Sequence, residues 1–183
     1  MRPVIYNTTI STTDNDSHSS IALSFDYRNS LLCGLPSYQL ARIQSVLNAA
    51  APIIYDSKRS DHITPLLHDR LHWLWVPERI RFKLCVMVIK ALHHLAPEYI
   101  MNCCVPVSNT AHRADLRSPS HHLMDIPRTR TKFGERSFAI AGPAAWNALP
   151  VSVRAASSVD LFKWTFKSHL FLLSFLSSSD ISF

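Results

Sequence analysis

The chain has 183 residues, enough for one ordinary domain with a sizeable core or for two very small domains. Hydrophobic residues make up 47% and charged residues only 17%, against about 25% charged in an average soluble domain. Three glycines are too few for a barrel, a sandwich or a glycine-rich phosphate loop, so the composition favours helices. The net charge of +6 suggests a polyanionic partner.

The N-terminal head is polar. Only Ile10 is apolar between Asn7 and Ser20, and a segment that buries no apolar surface cannot offset its loss of conformational entropy. We therefore expect residues 1–20 to be disordered and residues 177–183 to form a second disordered tail.

An amphipathic helix is expected next, within residues 21–56. Pro36 suits a first helical turn. Apolar residues then recur every three or four positions at Leu40, Ile43, Leu47, Ala50 and Ile54. Because Pro52 lacks an N–H and disfavours helical backbone at the preceding residue, we expect this helix to end at about Ala50.

The strongest helical pattern begins at Pro77. Its broad apolar face comprises Ile80, Leu84, Met87, Val88, Ala91 and Leu92, and its opposite edge carries Arg79, Lys83 and Lys90. We expect this helix to be central and largely buried. A short helix before it has Thr64 as the expected N-cap, Pro65 as its first residue and an end near Leu71.

The region that follows is loop-rich and basic, because residues 105–137 show no helical period. Leu123–Ile126 and Phe138–Ala141 are candidate short strands. Short helices are expected from Glu98 to about Cys103 and over Pro143–Leu149. The expected fold is mainly α: a small, irregular helical domain with a basic middle and up to two short strands.

The last helix is expected to start near Ser158, where Ser157 and Asp160 have capping-box spacing, and to end at about Leu176. It has two apolar faces. The first contains Phe162, Phe166, His169, Leu173 and Leu176; the second contains Trp164, Phe171 and Phe175. A helix that is apolar nearly all round is buried on more than one side, so we expect the second face to contact either more of its own polypeptide or another chain.

The ends and the cysteines predict an intracellular protein, cytoplasmic or nuclear. Met1–Tyr6 leads directly into polar residues, and the apolar run Leu170–Leu173 is far shorter than the ~18 to 20 residues of a membrane span. The four cysteines form no C-x-x-C pair.

Two histidine doublets, His93-His94 and His121-His122, suggest metal binding, but neighbouring helical residues point ~100° apart. Polar boundary residues are the simpler interpretation, and we predict no metal or cofactor.

Basic residues are concentrated in the middle of the chain. Lys58 to Arg136 carries thirteen basic and seven acidic residues, a net +6, whereas the flanking parts carry −1 and +1. Near the end of this region Arg128, Arg130 and Lys132 occupy every second position. On an extended backbone this spacing directs all three side chains to one side, as phosphate contacts require. The candidate nucleic-acid-binding residues are Arg117, Arg128, Arg130, Lys132 and Arg136. A solvated basic face is the alternative.

No catalytic site is predicted. Two-metal nucleotidyl transfer needs paired carboxylates, and no Asp-Asp pair occurs among the thirteen acidic residues. The glycines at 34, 134 and 142 cannot form G-x-G-x-x-G or a P-loop, and H-E-x-x-H and G-x-S-x-G are absent.

A series of short segments, ordered from about residue 25 to 176, carries a family resemblance. The segments include Asn29-Ser30-Leu31-Leu32, Asp61-His62-Ile63-Thr64-Pro65, Val76-Pro77-Glu78-Arg79-Ile80, Leu95-Ala96-Pro97-Glu98-Tyr99, Pro127-Arg128-Thr129-Arg130-Thr131-Lys132, Phe133-Gly134-Glu135-Arg136 and Trp146-Asn147 with Leu149-Pro150. Together they resemble the C-terminal end of non-LTR (LINE-type) retrotransposon reverse transcriptases. The chain departs from that pattern at Ile89, His94 and Ala144, where the family usually has Tyr, Gly and Arg.

The resemblance implies that residues 21–56 are a remnant of thumb-like helices and that residues 57–176 are the C-terminal reverse-transcriptase region. It also implies that the endonuclease and the polymerase palm lie upstream, so the chain would be a non-catalytic accessory module that helps to hold RNA or DNA. Two alternatives stay open: an inactive transposon relic, and a domesticated protein-interaction module that uses the aromatic helix face.

Overall fold

The computed structural model describes residues 29–54, 62–109 and 122–176. This part of the chain is mainly α-helical and confirms the expected fold class. Its eight α-helices are α1 (Ser37–Ile54), α2 (Ile63–Pro65), α3 (Val76–Leu92), α4 (Glu98–Met101), α5 (Lys132–Glu135), α6 (Phe138–Asn147), α7 (Val151–Arg154) and α8 (Val159–Leu176). Short 3-10 turns occur at Asn29–Leu32 and Val107–Asn109. The predicted disordered segments, 1–20 and 177–183, lie outside the described residues.

Helix α1 continues through Pro52 to Ile54, so the expected end at Ala50 is wrong. A proline at this position removes one N–H from the last turn only. Ala51 is fully buried there and packs in a small core with Leu66 and Leu67. Tertiary packing therefore holds the turn that local propensity would end.

Helix α2 begins at Ile63, so His62 and not Thr64 occupies its N-cap position. It leads into a wider π-turn over Leu66–Arg70, in which the Leu71 N–H donates to the Leu66 carbonyl at 3.0 Å. The short helix expected before Pro77 is thus present, with an earlier start and a different hydrogen-bond pattern at its end.

Helix α3 is the central helix, as its apolar pattern predicts. One side packs in the main core, which includes Cys85, Val88, Ile89, Trp146, Phe162, Phe166 and Leu170. Its N-terminal half packs in a second core with Leu47 of α1 and Ala141 of α6. The side chain of Gln44 completes the junction, because its Oε1 accepts the Val76 N–H at 2.8 Å and so satisfies a donor of the first turn of α3.

Arg79 is buried and does not lie on the expected polar edge of α3. Its Nε–H donates to the Leu74 carbonyl at 2.9 Å, and its guanidinium carbon lies 4.9 Å from the centre of the Trp73 ring. These partners precede the helix in an irregular segment, so a helical wheel does not include them. Their contacts compensate the buried charge.

An aromatic stack joins α3, α6 and α8. The Trp146 and Phe162 rings are 5.3 Å apart, Phe162 and Phe166 are 5.4 Å apart, and Phe166 and Phe82 are 5.7 Å apart. These separations fall in the favourable range for aromatic pairs. Of the first apolar face predicted for the last helix, Phe162 and Phe166 are therefore buried, whereas Leu173 is 51% exposed.

The predicted strand at Phe138–Ala141 is wrong, because these residues form the first turn of α6. Ser137 has the extended backbone of an N-cap residue, and the alanines that follow favour helix over strand. The other candidate, Leu123–Ile126, contributes only an isolated antiparallel bridge between Met124 and Pro106. The described ranges contain no sheet.

Helix α8 starts at Val159, close to the expected position. The capping residue is Ser158 and not Ser157, since the Ser158 hydroxyl accepts the Leu161 N–H at 3.2 Å. The helix then runs to Leu176, as predicted.

Candidate nucleic-acid interface

The basic segment, residues 126–136, begins at a fixed point beside α6. Asn147 pairs with the backbone of Met124: the Met124 N–H donates to Oδ1, and Nδ2 donates to the Met124 carbonyl, each at 2.8 Å. Trp146 Nε1 donates to the His122 carbonyl at 2.8 Å. On the other side, the Asp125 N–H donates to the Val105 carbonyl at 2.8 Å. The chain therefore enters the basic segment from a backbone held on both sides.

Three of the predicted cations are exposed along this segment: Arg128, Arg130 and Lys132. In the described structure none of the three makes a side-chain hydrogen bond or an ion pair. The backbone is irregular to residue 129, bends at Arg130 and enters α5 at Lys132. The expected extended backbone therefore does not continue through Lys132, and period-two alternation does not account for the direction of all three side chains.

The turn that carries Lys132 is fixed by hydroxyl groups. The Thr131 Oγ1 accepts the Gly134 N–H at 3.0 Å and caps α5. The Ser137 hydroxyl donates to the Gly134 carbonyl at 2.7 Å. A side chain at position 134 would collide with the hydroxyl of Thr129, so glycine allows this close packing.

Arg136 closes the basic segment by binding a distant turn. Its Nε–H donates to the Cys33 carbonyl at 3.1 Å, across 103 residues of chain. Gly34 has a φ of +70°, and a Cβ there would lie 2.5 Å from the Arg136 Cγ. The pKa of the Cys33 thiol is raised because the thiol is partly buried. The nearby Arg136 charge and a hydrogen bond from the Gly34 backbone offset part of that rise. Arg136 is thus a structural tie as well as a surface cation.

The sequence did not indicate that this segment exposes an aromatic side chain. Phe133 is 84% exposed, although it directly follows Lys132 and lies in the first turn of α5. The sequence assigned it only to a family motif, because an isolated phenylalanine is ordinarily expected in a core. Its exposure was the one signal that could identify it, and exposure is a tertiary property.

The second predicted face of α8 is only partly exposed. Trp164 is 67% exposed, and Leu161 and Leu172, at helical spacing from it, are 46% and 59% exposed. Phe171 instead packs edge-on against the rings of His68 and His72, at centroid distances of 5.9 and 6.4 Å. The Phe175 side chain lies outside the described part of the structure, as does the whole of Arg117.

The buried thiols are poor nucleophiles in this fold. Burial raises the pKa of Cys85 to about 12 and that of Cys104 to about 11, so both stay protonated near neutral pH. Among the described residues, no group of three or more His, Cys, Asp or Glu side chains is arranged to hold a metal ion. In the same ranges, every helix is too short or too polar to cross a bilayer.

Comparisons with protein-family models, with curated proteins and with solved structures find no match to this chain.

Proposed function

We propose that the chain is a non-catalytic module that binds RNA or DNA through phosphates and that it corresponds to the C-terminal region of a non-LTR retrotransposon reverse transcriptase. The observation that carries the proposal is the basic segment. It follows Met124, whose backbone is bonded to Asn147, and it ends at Arg136, which is bonded to Cys33. Between these two ties it exposes Arg128, Arg130 and Lys132. Ties next to both ends of the segment reduce the backbone freedom that is lost when its cations bind phosphates.

The family part of the proposal is supported by the ordered segments in the sequence and by one backbone angle. His94 has a φ of +56°, a left-handed conformation that favours glycine. The resembled family usually has glycine at this position. A shared turn with a later replacement accounts for a non-glycine residue in this conformation.

The proposal is tested by the salt dependence of binding to single-stranded RNA, measured by fluorescence anisotropy. Each phosphate contact contributes a log–log slope of about −0.7, so four contacts give about −3. The variant Arg128→Gln/Arg130→Gln/Lys132→Gln should have a slope shallower by about 2. Arg136 is kept, because its substitution would also break the bond to Cys33.

A matched control removes the same charge elsewhere. The variant Arg42→Gln/Lys90→Gln/Lys163→Gln replaces one cation on each of α1, α3 and α8. We expect it to keep most of the wild-type slope, since long-range charge is screened within about 10 Å at 0.1 M salt. Equal losses in the two triple variants, or wild-type binding no tighter than that of an unrelated protein of the same net charge, would overturn the proposal.

A second candidate function is protein binding through the exposed face of α8, and the exposed Trp164, Leu161 and Leu172 favour it. The partner would be the parent polymerase domain or a second copy of the chain. Trp164→Ala should then abolish one complex or the self-association while leaving the melting temperature unchanged. Sedimentation velocity provides the measurement, with the exposed Tyr99→Ala as control. A concentration-independent wild-type monomer that binds no polymerase domain would exclude this candidate.

A further inference from the structure

Phe133 has the highest exposed fraction, 84%, among the large hydrophobic side chains of the described residues. The five sequence positions before it, Arg128 to Lys132, carry three cations and two hydroxyls, and the two after it are Gly134 and Glu135. A docking site for a protein core would require a contiguous apolar patch, and a single ring among polar and basic neighbours does not supply one. The surroundings of this ring instead suit a ligand that combines flat apolar groups with negative charge.

The ring is carried by a fixed turn. Thr131 caps the turn through the Gly134 N–H, and the Ser137 hydroxyl and backbone N–H both donate to the Gly134 carbonyl, at 2.7 and 3.0 Å. The Arg136 N–H donates to the Phe133 carbonyl at 3.2 Å, and the Arg136 side chain holds the Cys33 turn. Phe133 therefore projects from a backbone that hydrogen bonds restrain on both sides.

We infer that Phe133 is a stacking platform for an unpaired base, so that the basic segment prefers single-stranded over double-stranded nucleic acid. The inference rests on the proposed function, since Arg128, Arg130 and Lys132 would hold the phosphates of the same strand. An aromatic side chain among cations is the combination that binds single strands, because every base offers a flat π-face to it. In a duplex these faces are already stacked on neighbouring base pairs and are inaccessible to the ring.

The experiment measures binding of a labelled single-stranded RNA and of the same RNA annealed to its complement, for wild type, Phe133→Ala, Phe133→Leu and Phe133→Trp. Both non-aromatic variants should lose about 5- to 150-fold in affinity for the single strand. Phe133→Trp should bind at least as tightly as wild type. Duplex binding should change by less than about twofold, because the phosphate contacts remain.

Two controls separate this inference from its alternatives. Tyr99→Ala removes another exposed aromatic side chain, outside the basic segment, and should change single-strand affinity by less than about twofold. The melting temperature of Phe133→Ala should match that of wild type, because the ring is 84% exposed. Ultraviolet cross-linking to a uridine oligonucleotide should give an adduct on Phe133.

The outcomes are distinguishable. If Phe133→Ala and Phe133→Leu bind single strands as wild type does while the salt slope stays near −3, the stacking inference is wrong and the phosphate-binding proposal stands. Equal loss of single-strand and duplex affinity would also overturn the inference. If the wild-type protein shows no salt-dependent binding, the proposed function itself fails. If the polymerase domain displaces RNA from the wild-type protein but not from Phe133→Ala, the ring binds a protein partner and the stacking inference is wrong.

Discussion

Asn147 pairs with both backbone groups of Met124, accepting its N–H and donating to its carbonyl, each at 2.8 Å. This arrangement imitates the pairing of two strands, with an amide side chain in the place of one backbone. The contact joins α6 to a segment 23 residues earlier and sets the position from which the basic segment starts.

Asn147→Asp should therefore destabilise the protein by about 1–3 kcal/mol. The carboxylate still accepts the Met124 N–H, but its second oxygen faces the Met124 carbonyl, where the amide previously donated. Urea unfolding followed by circular dichroism measures the effect. Asn109→Asp makes the same chemical change at an exposed residue, where the hydroxyl of Ser108 is the donor, and should shift stability by less than about 0.5 kcal/mol. Equal stability of the two variants would contradict this role of Asn147.

His94→Gly should stabilise the protein by roughly 1 kcal/mol. Helix α3 ends in a Schellman-type turn: the His94 N–H donates to the Ala91 carbonyl, and the Leu95 N–H donates to the Lys90 carbonyl, at 3.1 and 2.8 Å. This turn needs a left-handed residue at position 94, and the imidazole there is exposed, so its removal costs little packing.

The neighbouring substitution is the control for that gain. His93 has a φ of −93°, which any L-residue adopts, so His93→Gly should give no gain and should cost up to about 1 kcal/mol in backbone entropy. The two variants differ by one position and replace the same side chain. Stabilisation by both, or by neither, would show that the left-handed angle at His94 carries no strain.

Stability should fall as the pH rises from about 9 toward 12, in part because of Cys85. Burial raises the pKa of this thiol from 9.0 to about 12. The unfolded state then loses the thiol proton first, while the folded state keeps it, so the free energy of unfolding decreases with pH across this window. Below pH 9 the thiol is protonated in both states, and its contribution is constant.

Urea titrations at successive pH values measure this slope. Cys85→Ala removes the titrating group, and its stability should fall less steeply with pH than that of wild type. Val88→Ala creates a comparable void in the same core without removing an ionisable group, so it should keep the wild-type slope at a lower stability. Parallel curves for Cys85→Ala and wild type would show that the buried thiol does not contribute.

The apolar period and the residues at the helix starts were enough to predict the two long helices α3 and α8. Helix α3 was identified from its apolar period and from Pro77 in its first turn, and α8 from its apolar period and the serines before it. The helical region at 138–147 was underestimated, because four successive apolar residues, Phe138–Ala141, are compatible with both a strand and a buried helix.

The remaining features depend on contacts between distant residues. Pro52 stays within α1 because Ala51 is packed against residues of the next segment, and Arg79 is buried because Leu74 and Trp73 receive its guanidinium. The sequence identified Trp146 and Asn147 only as part of a family motif. Their bonds to the backbone at 122–124 follow from the tertiary fold, which local periodicity does not contain.

Only the exposure and the contacts of the candidate binding residues bear on what the sequence predicts for them. The exposure of Arg128, Arg130 and Lys132 agrees with a surface role, whereas Arg136 is engaged with Cys33 and the alternation does not extend to Lys132. Whether these residues bind nucleic acid stays a prediction. Arg136 and Cys33 are 103 residues apart in the sequence, so no local motif indicated the hydrogen bond between them.

Because α3 is central, its backbone amides should exchange with solvent more slowly than those of the short helices α4 and α5. Its buried residues contact α1, α6 and α8, so its amide groups become accessible to solvent only when several helices separate together. Hydrogen–deuterium exchange at Val86, Val88 and Ile89 should therefore report the global free energy of unfolding. Amides of the short helices α4 and α5, which have few buried residues, should exchange through smaller, local openings.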